Sequence, residues 1–249
     1  MFRIPSPDAA APALPQAASW GRDPSNPALA GVPPGLLRSV LAGCVEWTVP
    51  AGRLLLPQDQ HADVCYGLGT GLLRLQREGP QGRPATAALL HPGRWVACTH
   101  ALTGTPLSFS VATVTRSTVL VLRKSMLQDL LEHHPAATAG WLLHIATAQA
   151  DALAAHLDLL ATGSVEERVL RLLHLLAQPS PGHAGGARRI TVRLTQGEMG
   201  SIVGASRQRV NKTLGVLLRQ GRLRVDGPWL EIGEDLCATP DAVRPPSLQ

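Results

Sequence analysis

Arg207, Gln208, Asn211 and Lys212 carry the clearest chemistry in the sequence. On a helix these positions share one face, because residues three and four apart are neighbours. An Arg can donate two hydrogen bonds to a guanine edge, and a Gln can pair with an adenine edge, both from the major groove of DNA. Lys212 and the hydroxyls of Thr195 and Ser206 suit phosphate oxygens, which fix register without reading sequence. Gln196, beside Thr195, and Arg209, at the margin of the polar face, complete the candidate DNA-binding set. The plain alternative is a solvated basic helix. The neighbouring elements have to decide between the two.

Those elements agree in register. Thr195 and Glu198 have the spacing of a capping box, so each can satisfy an early backbone N–H of a helix. Met199, Ile202 and Val203 then lie on one helical face. Gly204 falls where a left-handed C-cap residue is wanted. Ser206 is a good N-cap for a second helix. Val210, Leu214, Leu217 and Leu218 read as one apolar stripe opposite the polar residues. Two short helices joined by a tight turn, the second displaying Arg and Gln in its first turn, make a helix-turn-helix for the major groove.

The stretch LTQGEMGSIVGASRQRVNKTL, from Leu194 to Leu214, closely resembles the C-terminal helix-turn-helix of the Crp/Fnr family of bacterial transcription regulators. It matches that family's Leu-Thr, the Glu in the first helix, the Gly turn, and the Ser-Arg with a following Val. GRLRVDGPWLEI, from Gly221 to Ile232, is similar to the family's wing, with its turn at Asp226-Gly227. The resemblance implies that Arg207, Gln208 and Lys212 touch bases or nearby phosphates. The family commonly has Glu where this chain has Gln208, which implies a different preferred half-site.

Charge is placed accordingly. The 249-residue chain has a net charge of +5, from 23 basic and 18 acidic residues. Between Val165 and Ile232 there are eleven Arg plus Lys and five acids, so the whole positive excess sits with the helix-turn-helix. That is the footprint of a phosphate-binding module. Cys44, Cys65, Cys98 and Cys237 show no CxxC spacing, so free thiols in a reducing cytosol are expected. No run of eighteen apolar residues is present, and the N-terminus shows no secretory pattern, so a cytoplasmic protein without a membrane partner is expected.

Ahead of the helix-turn-helix the pattern changes twice. Residues 1–30 are Pro- and Ala-rich and read as a disordered arm, followed by a short helix from Gly35 to Ala42. Short strand signals then recur from Val45 to Leu122, with PQGRP (80–84) as a hairpin loop and VATVTRSTVLVL (111–122) as the clearest strand pair. PAGRLLL, YGLGTGLLRL and HPGRWV look like the strand-turn repeats of the family's jelly-roll sensor domain. From Lys124 the pattern is helical. Ser125 is the expected cap of a helix to His133, and Pro135 starts the next. In that helix Leu143, Ala146, Ala150, Leu153, Leu157 and Leu160 form a heptad seam. Leu142, Ile145, Gln149, Ala152 and His156 form an adjacent row, so one row can meet its own barrel and the other a partner. The family places its dimerisation helix here, which implies a homodimer reading two half-sites one DNA turn apart.

The fold expected is therefore α+β. A cyclic-nucleotide-binding-like sensor barrel spans 31–124, a dimerisation helix region 125–162 and a winged helix-turn-helix 163–236, with a tail over 237–249.

What the barrel senses is harder to read. In cyclic-nucleotide-binding relatives a Gly-Glu pair holds the ribose and an Arg-Ser or Arg-Thr pair neutralises the phosphate. Here Ala97-Cys98 and Leu107-Ser108 stand in those places, with Arg94 and Arg116 off the motif. Burying a phosphate without an Arg is costly, so cyclic AMP is not expected. The absence of Cys before Cys44 removes the family's iron–sulfur mechanism. Cys98-Thr99-His100 is similar to the haem-ligating Cys-x-His of the family's carbon-monoxide sensor, which makes Cys98 and His100 haem candidates. The effector itself stays unassigned.

The expected function is a homodimeric, sequence-specific DNA-binding transcription regulator, with double-stranded DNA and RNA polymerase as partners. A haem-based gas or redox sensor using Cys98 and His100, and a ligand-binding or scaffold protein that does not bind DNA, are the alternatives. No Gly-rich phosphate loop, nucleophile elbow or metal-spaced His cluster points to an enzyme.

Overall fold

The computed structural model describes residues 26–78, 84–161, 163–179, 188–190, 194–226 and 229–232. The chain divides into two compact units, Met1–Asp158 and Leu159–Gln249.

The first unit is built on two four-stranded antiparallel sheets. One has the order β1 (Cys44–Val49), β8 (Ser117–Arg123), β3 (Val64–Thr70), β6 (Trp95–Val96). The other has the order β2 (Leu54–Leu56), β7 (Ser110–Thr113), β4 (Leu73–Glu78), β5 (Pro84–Leu90). β8 explains why VATVTRSTVLVL is so apolar. It lies between β1 and β3, and Val119, Leu120, Val121 and Leu122 are all buried. A strand covered on both faces reads as a continuous apolar run rather than an alternating one.

Helices close the unit. α1 (Pro34–Gly43) and α3 (Lys124–His133) both touch β8, and α2 (Cys98–Thr103) touches β3 and α3. α3 starts two residues earlier than the Ser125 cap requires: its N-cap is Arg123, with no side-chain cap bond. Pro135 does open α4 (Pro135–Ala161). The two rows of α4 separate at most positions, although Leu153 of the seam is half-buried and packs against the barrel core. Ile145 and His156 are buried and Gln149 donates from Nε2 to the Trp95 carbonyl at 3.1 Å, whereas Leu143 and Leu157 are 69% and 66% exposed.

Asn26–Ala30 differ from the expected arm. Pro27–Leu29 form a 3-10 turn with Ala28 and Leu29 buried, packed against β3. Trp95 Nε1 donates to the Ala28 carbonyl at 2.6 Å, which fixes this turn on the barrel. The rest of the expected arm, most of the PQGRP loop and the expected tail lie outside the described residues.

The second unit contains α5 (Val165–Leu176), α6 (Gln196–Val203) and α7 (Arg207–Arg219). Beside them lies an antiparallel sheet ordered β11 (Leu223–Asp226), β12 (Trp229–Ile232), β10 (Arg188–Ile190), β9 (Ala177–Pro179). Val169, Leu172 and Leu173 of α5, Ile202 and Val203 of α6, and Leu217 of α7 form a buried aliphatic core.

Candidate nucleic-acid interface

The reading face begins at Thr195. Its hydroxyl accepts from Glu198 N at 3.2 Å, and Glu198 Oε2 accepts from Thr195 N at 2.7 Å, so the capping box is formed in both directions. The hydroxyl also donates to Glu198 Oε2 at 2.8 Å. Thr195 is thus a structural cap first, and a phosphate donor only by releasing that bond.

Gly204 ends α6 with φ 64°, the left-handed conformation that a Cβ disfavours. Gly200 has a different reason to be glycine. A Cβ there would stand 2.5 Å from the Ala205 carbonyl oxygen, inside the turn. Ala205 N donates back to Gly200 O at 2.9 Å, so the turn folds tightly over the missing side chain. Ser206 then caps α7, its Oγ accepting from Arg209 N at 3.3 Å.

α7 separates its faces sharply. Val210, Thr213, Leu214 and Leu217 are buried; Ser206, Arg207, Gln208, Arg209, Asn211 and Lys212 are exposed. The expected stripe needs one correction, because Leu218 is 39% exposed. At ~100° per residue, Leu218 returns to within about 20° of Arg207 around the axis, on the polar side. Thr213 fills the buried stripe instead.

One contact was not visible in the sequence. Gln196 Nε2 donates to Asn211 Oδ1 at 2.9 Å, tying the first turn of α6 to the second turn of α7. The bond uses the oxygen of the exposed Asn211, not its amide donors. Arg224, exposed on β11, was also passed over, although it adds to the basic surface of this unit. The sheet beside the helices is held partly by Arg189 and Glu231, directly opposite one another, with Nε and an Nη of Arg189 3.2 and 3.0 Å from Glu231 Oε1. The electropositive N-terminal end of α7 and the charges of Arg207, Arg209 and Lys212 together favour an anion in front of this face. The arrangement can therefore hold phosphates while presenting Arg and Gln to base edges.

In the first unit the sensing motif has a different character. Ala97 is left-handed, φ 70° and ψ 0°, and leads into α2. Cys98 and Leu107 are fully buried, while Ser108, Arg94 and Arg116 are exposed. Leu107 is fixed by its backbone, giving and receiving hydrogen bonds with the Gln60 carbonyl and the Asp59 N–H. Arg74, half-buried on β4, is a further cation of this unit, with no motif in the sequence to mark it. His100 sits two residues beyond Cys98 on α2, half-buried, its ring edge-on to Phe109 at 5.7 Å. Residues two apart on a helix do not face each other, so Cys98 and His100 do not converge on one centre. Burial lowers the His100 pKa. Cys98 is raised well above the ordinary thiol value, first by its side-chain interaction with Cys65 and then by burial. Among the described residues there is no cluster of three or more His, Cys, Asp or Glu that could hold a metal ion.

Comparison with known proteins gives both units a family. Residues 46–134 match the cyclic nucleotide-binding domain, and residues 167–233 match the Crp-like helix-turn-helix domain. A "CRP-like cAMP-activated global transcriptional regulator" of Mycobacterium tuberculosis (strain ATCC 25618 / H37Rv) is 26% identical over 204 residues, covering 82% of this chain and 91% of the relative. Among solved structures, FixK2 from Bradyrhizobium japonicum superposes with a TM-score of 0.62 at 18% identity, covering 76% of this chain and 91% of that one. The CLP regulator of Xanthomonas campestris, described as c-di-GMP responsive, gives a TM-score of 0.60 at 20% identity, covering 80% and 98%. At these identities the structures speak to the fold. The matched relative is a transcriptional regulator rather than an enzyme, and no helix among the described residues is long and apolar enough to cross a membrane. With a sensor-type β domain, a long helix and a capped helix-turn-helix in this order, the chain belongs to the Crp/Fnr family of transcription regulators.

Proposed function

We propose that the chain acts as a homodimer on a near-palindromic DNA site, reading bases with Arg207 and Gln208, and that its sensor domain answers to a signal other than cyclic AMP. The observation that carries the DNA reading is the exposed polar face of α7, held between two formed caps and supported by the Gln196–Asn211 bond. Arg209 and Lys212 supply phosphate contacts, with Thr195 and Ser206 at the helix starts. The exposed Leu143 and Leu157, one side of a helix whose other side is already covered, support dimerisation through α4. RNA polymerase is the further partner such a regulator needs, and the buried free thiols Cys44, Cys65 and Cys98 suit a cytoplasmic setting.

The residues at the sensing motif do not fit a cyclic nucleotide. A phosphate there would meet the fully buried, uncharged Leu107 and the buried Cys98 thiol, and an anion moved out of water needs paired charge or donors to offset its lost hydration. Calorimetric titration with cyclic AMP is expected to show no binding at millimolar nucleotide. Saturable micromolar binding would overturn this part of the reading. The DNA reading is tested by Arg207→Ala, which is expected to weaken specific binding by about 1–3 kcal/mol and to relax one base position. Wild-type affinity and footprint in that variant would remove Arg207 from the reading face.

A further inference from the structure

Cys44, Cys65 and Cys98 are distant in sequence yet gathered in one part of the first unit, all three buried. Strand register brings the first two together. Cys44 of β1 and Cys65 of β3 are both opposite Leu122 of β8, so they flank it on the same face of the sheet. The β3–β6 ladder brings the third. Its pairs are Tyr66 with Val96 and Gly67 with Trp95, so it ends one residue after Cys65 and two before Cys98.

Between Val96 and Cys98 stands Ala97, one of two non-glycine residues with positive φ among the described residues. A left-handed alanine is uncommon. Its effect here is to turn the chain from β6 into α2, which packs against β3, the strand that carries Cys65; Cys65 is also the group that most raises the Cys98 pKa. Continued by one step, that ladder sets Ala97 opposite Cys65 at the Cα spacing of about 4.5–5.5 Å of such pairs, so Cys98 is the residue next to the one that faces Cys65; a disulfide spans Cα atoms about 4.4–6.8 Å apart.

We propose that Cys65 and Cys98 form a reversible disulfide, making the sensor domain a modification site for a small hydroperoxide. The chemistry needs no other cofactor. One sulfur attacks the peroxide, breaking its O–O bond, forming an S–O bond and releasing water. The second thiol attacks that sulfur, forming the S–S bond and releasing the oxygen as another water. Two thiols are oxidised by two electrons, the peroxide is reduced, and both thiol protons leave in the two waters. Both thiols are fully buried, so the oxidant is restricted to a molecule about as small as hydrogen peroxide, and reaction is slow relative to exposed thiols. Cys44 flanks the pair and is not part of the bond. The site stands independently of the DNA reading.

The test uses the full chain. Reduced protein is treated with hydrogen peroxide, quenched, denatured and alkylated, and its peptides are mapped without reduction. Of the four cysteines in the sequence, two are expected to become unreactive. A linked Cys65–Cys98 peptide is expected, two hydrogens lighter than the reduced pair and restored by dithiothreitol. Cys44→Ala is expected to keep the link and Cys98→Ser to lose it; if Cys98→Ser does not fold, the wild-type map decides alone. Four reactive thiols after excess peroxide, a bridge to Cys44 or Cys237, or irreversible sulfur acids only would each overturn the proposal.

Discussion

Replacing Leu143 and Leu157 together with alanine separates dimerisation from folding. Both side chains are about two-thirds exposed in the single chain, at 69% and 66%. Fully burying a leucine stabilises by about 1.5–3 kcal/mol, so covering the exposed part is worth about 1–2 kcal/mol per side chain. A symmetric pair of α4 helices covers four such leucines, about 4–8 kcal/mol in all. At about 1.4 kcal/mol per tenfold, their removal raises the dimer dissociation constant by roughly three to six orders of magnitude. Alanine is the better helix former, and neither leucine belongs to the buried core, so the melting temperature of the monomer should hold. Sedimentation velocity across a concentration series reads the constant directly. A double variant that still dimerises at the wild-type concentration, with an unchanged melt, would refute the seam as the interface.

Other substitutions test the local reasoning. Gly200→Ala places a Cβ against the Ala205 carbonyl oxygen, a backbone atom 2.5 Å away. It should cost about 1–3 kcal/mol as overpacking does, seen as a lower urea midpoint for the second unit. Thr195→Ala removes the Glu198 N acceptor and should cost about 1 kcal/mol, with amide exchange quickening first at the start of α6. The melt also has a predicted pH dependence. Burial lowers the pKa of His156 and of His91, with Arg94 adding to the effect at His91 and a Thr86 backbone bond opposing it at His156. Above the unfolded value of about 6.5 their contribution is fully present. As pH falls below it the unfolded state binds more protons, and stability is lost through the lowered folded values. Urea midpoints at about pH 7.5 and 5.5 check the sign, and His156→Gln should flatten the slope.

The helix-turn-helix was legible because its information is local. Thr195, Glu198, Gly204 and Ser206 act on backbone within four residues, and the structure forms every one of those caps. What local pattern missed is tertiary. Pro27, Ala28 and Leu29 looked like a loose arm by composition, yet Trp95, nearly seventy residues on, holds them on the barrel. Leu218 counted as apolar stripe because of its type, although its helical phase puts it with Arg207. Cys98 stands out in the sequence for its spacing to His100, while the group that most perturbs it is Cys65 on β3, thirty-three residues earlier. At the sensing motif the expectation against cyclic AMP rests on residue type alone, since Leu107 and Cys98 lack the charge that a phosphate and ribose need.

The most direct measurement selects fragments of genomic DNA on the purified full chain and then titrates the enriched site with salt. The account predicts one enriched near-palindrome, bound by a dimer. Its affinity should fall steeply with salt, the logarithmic slope growing by about 0.9 for each phosphate contact, and Arg207→Ala should lose the enrichment. An unenriched pool, or affinity indifferent to salt, would contradict the assignment of α7 as the element that reads DNA.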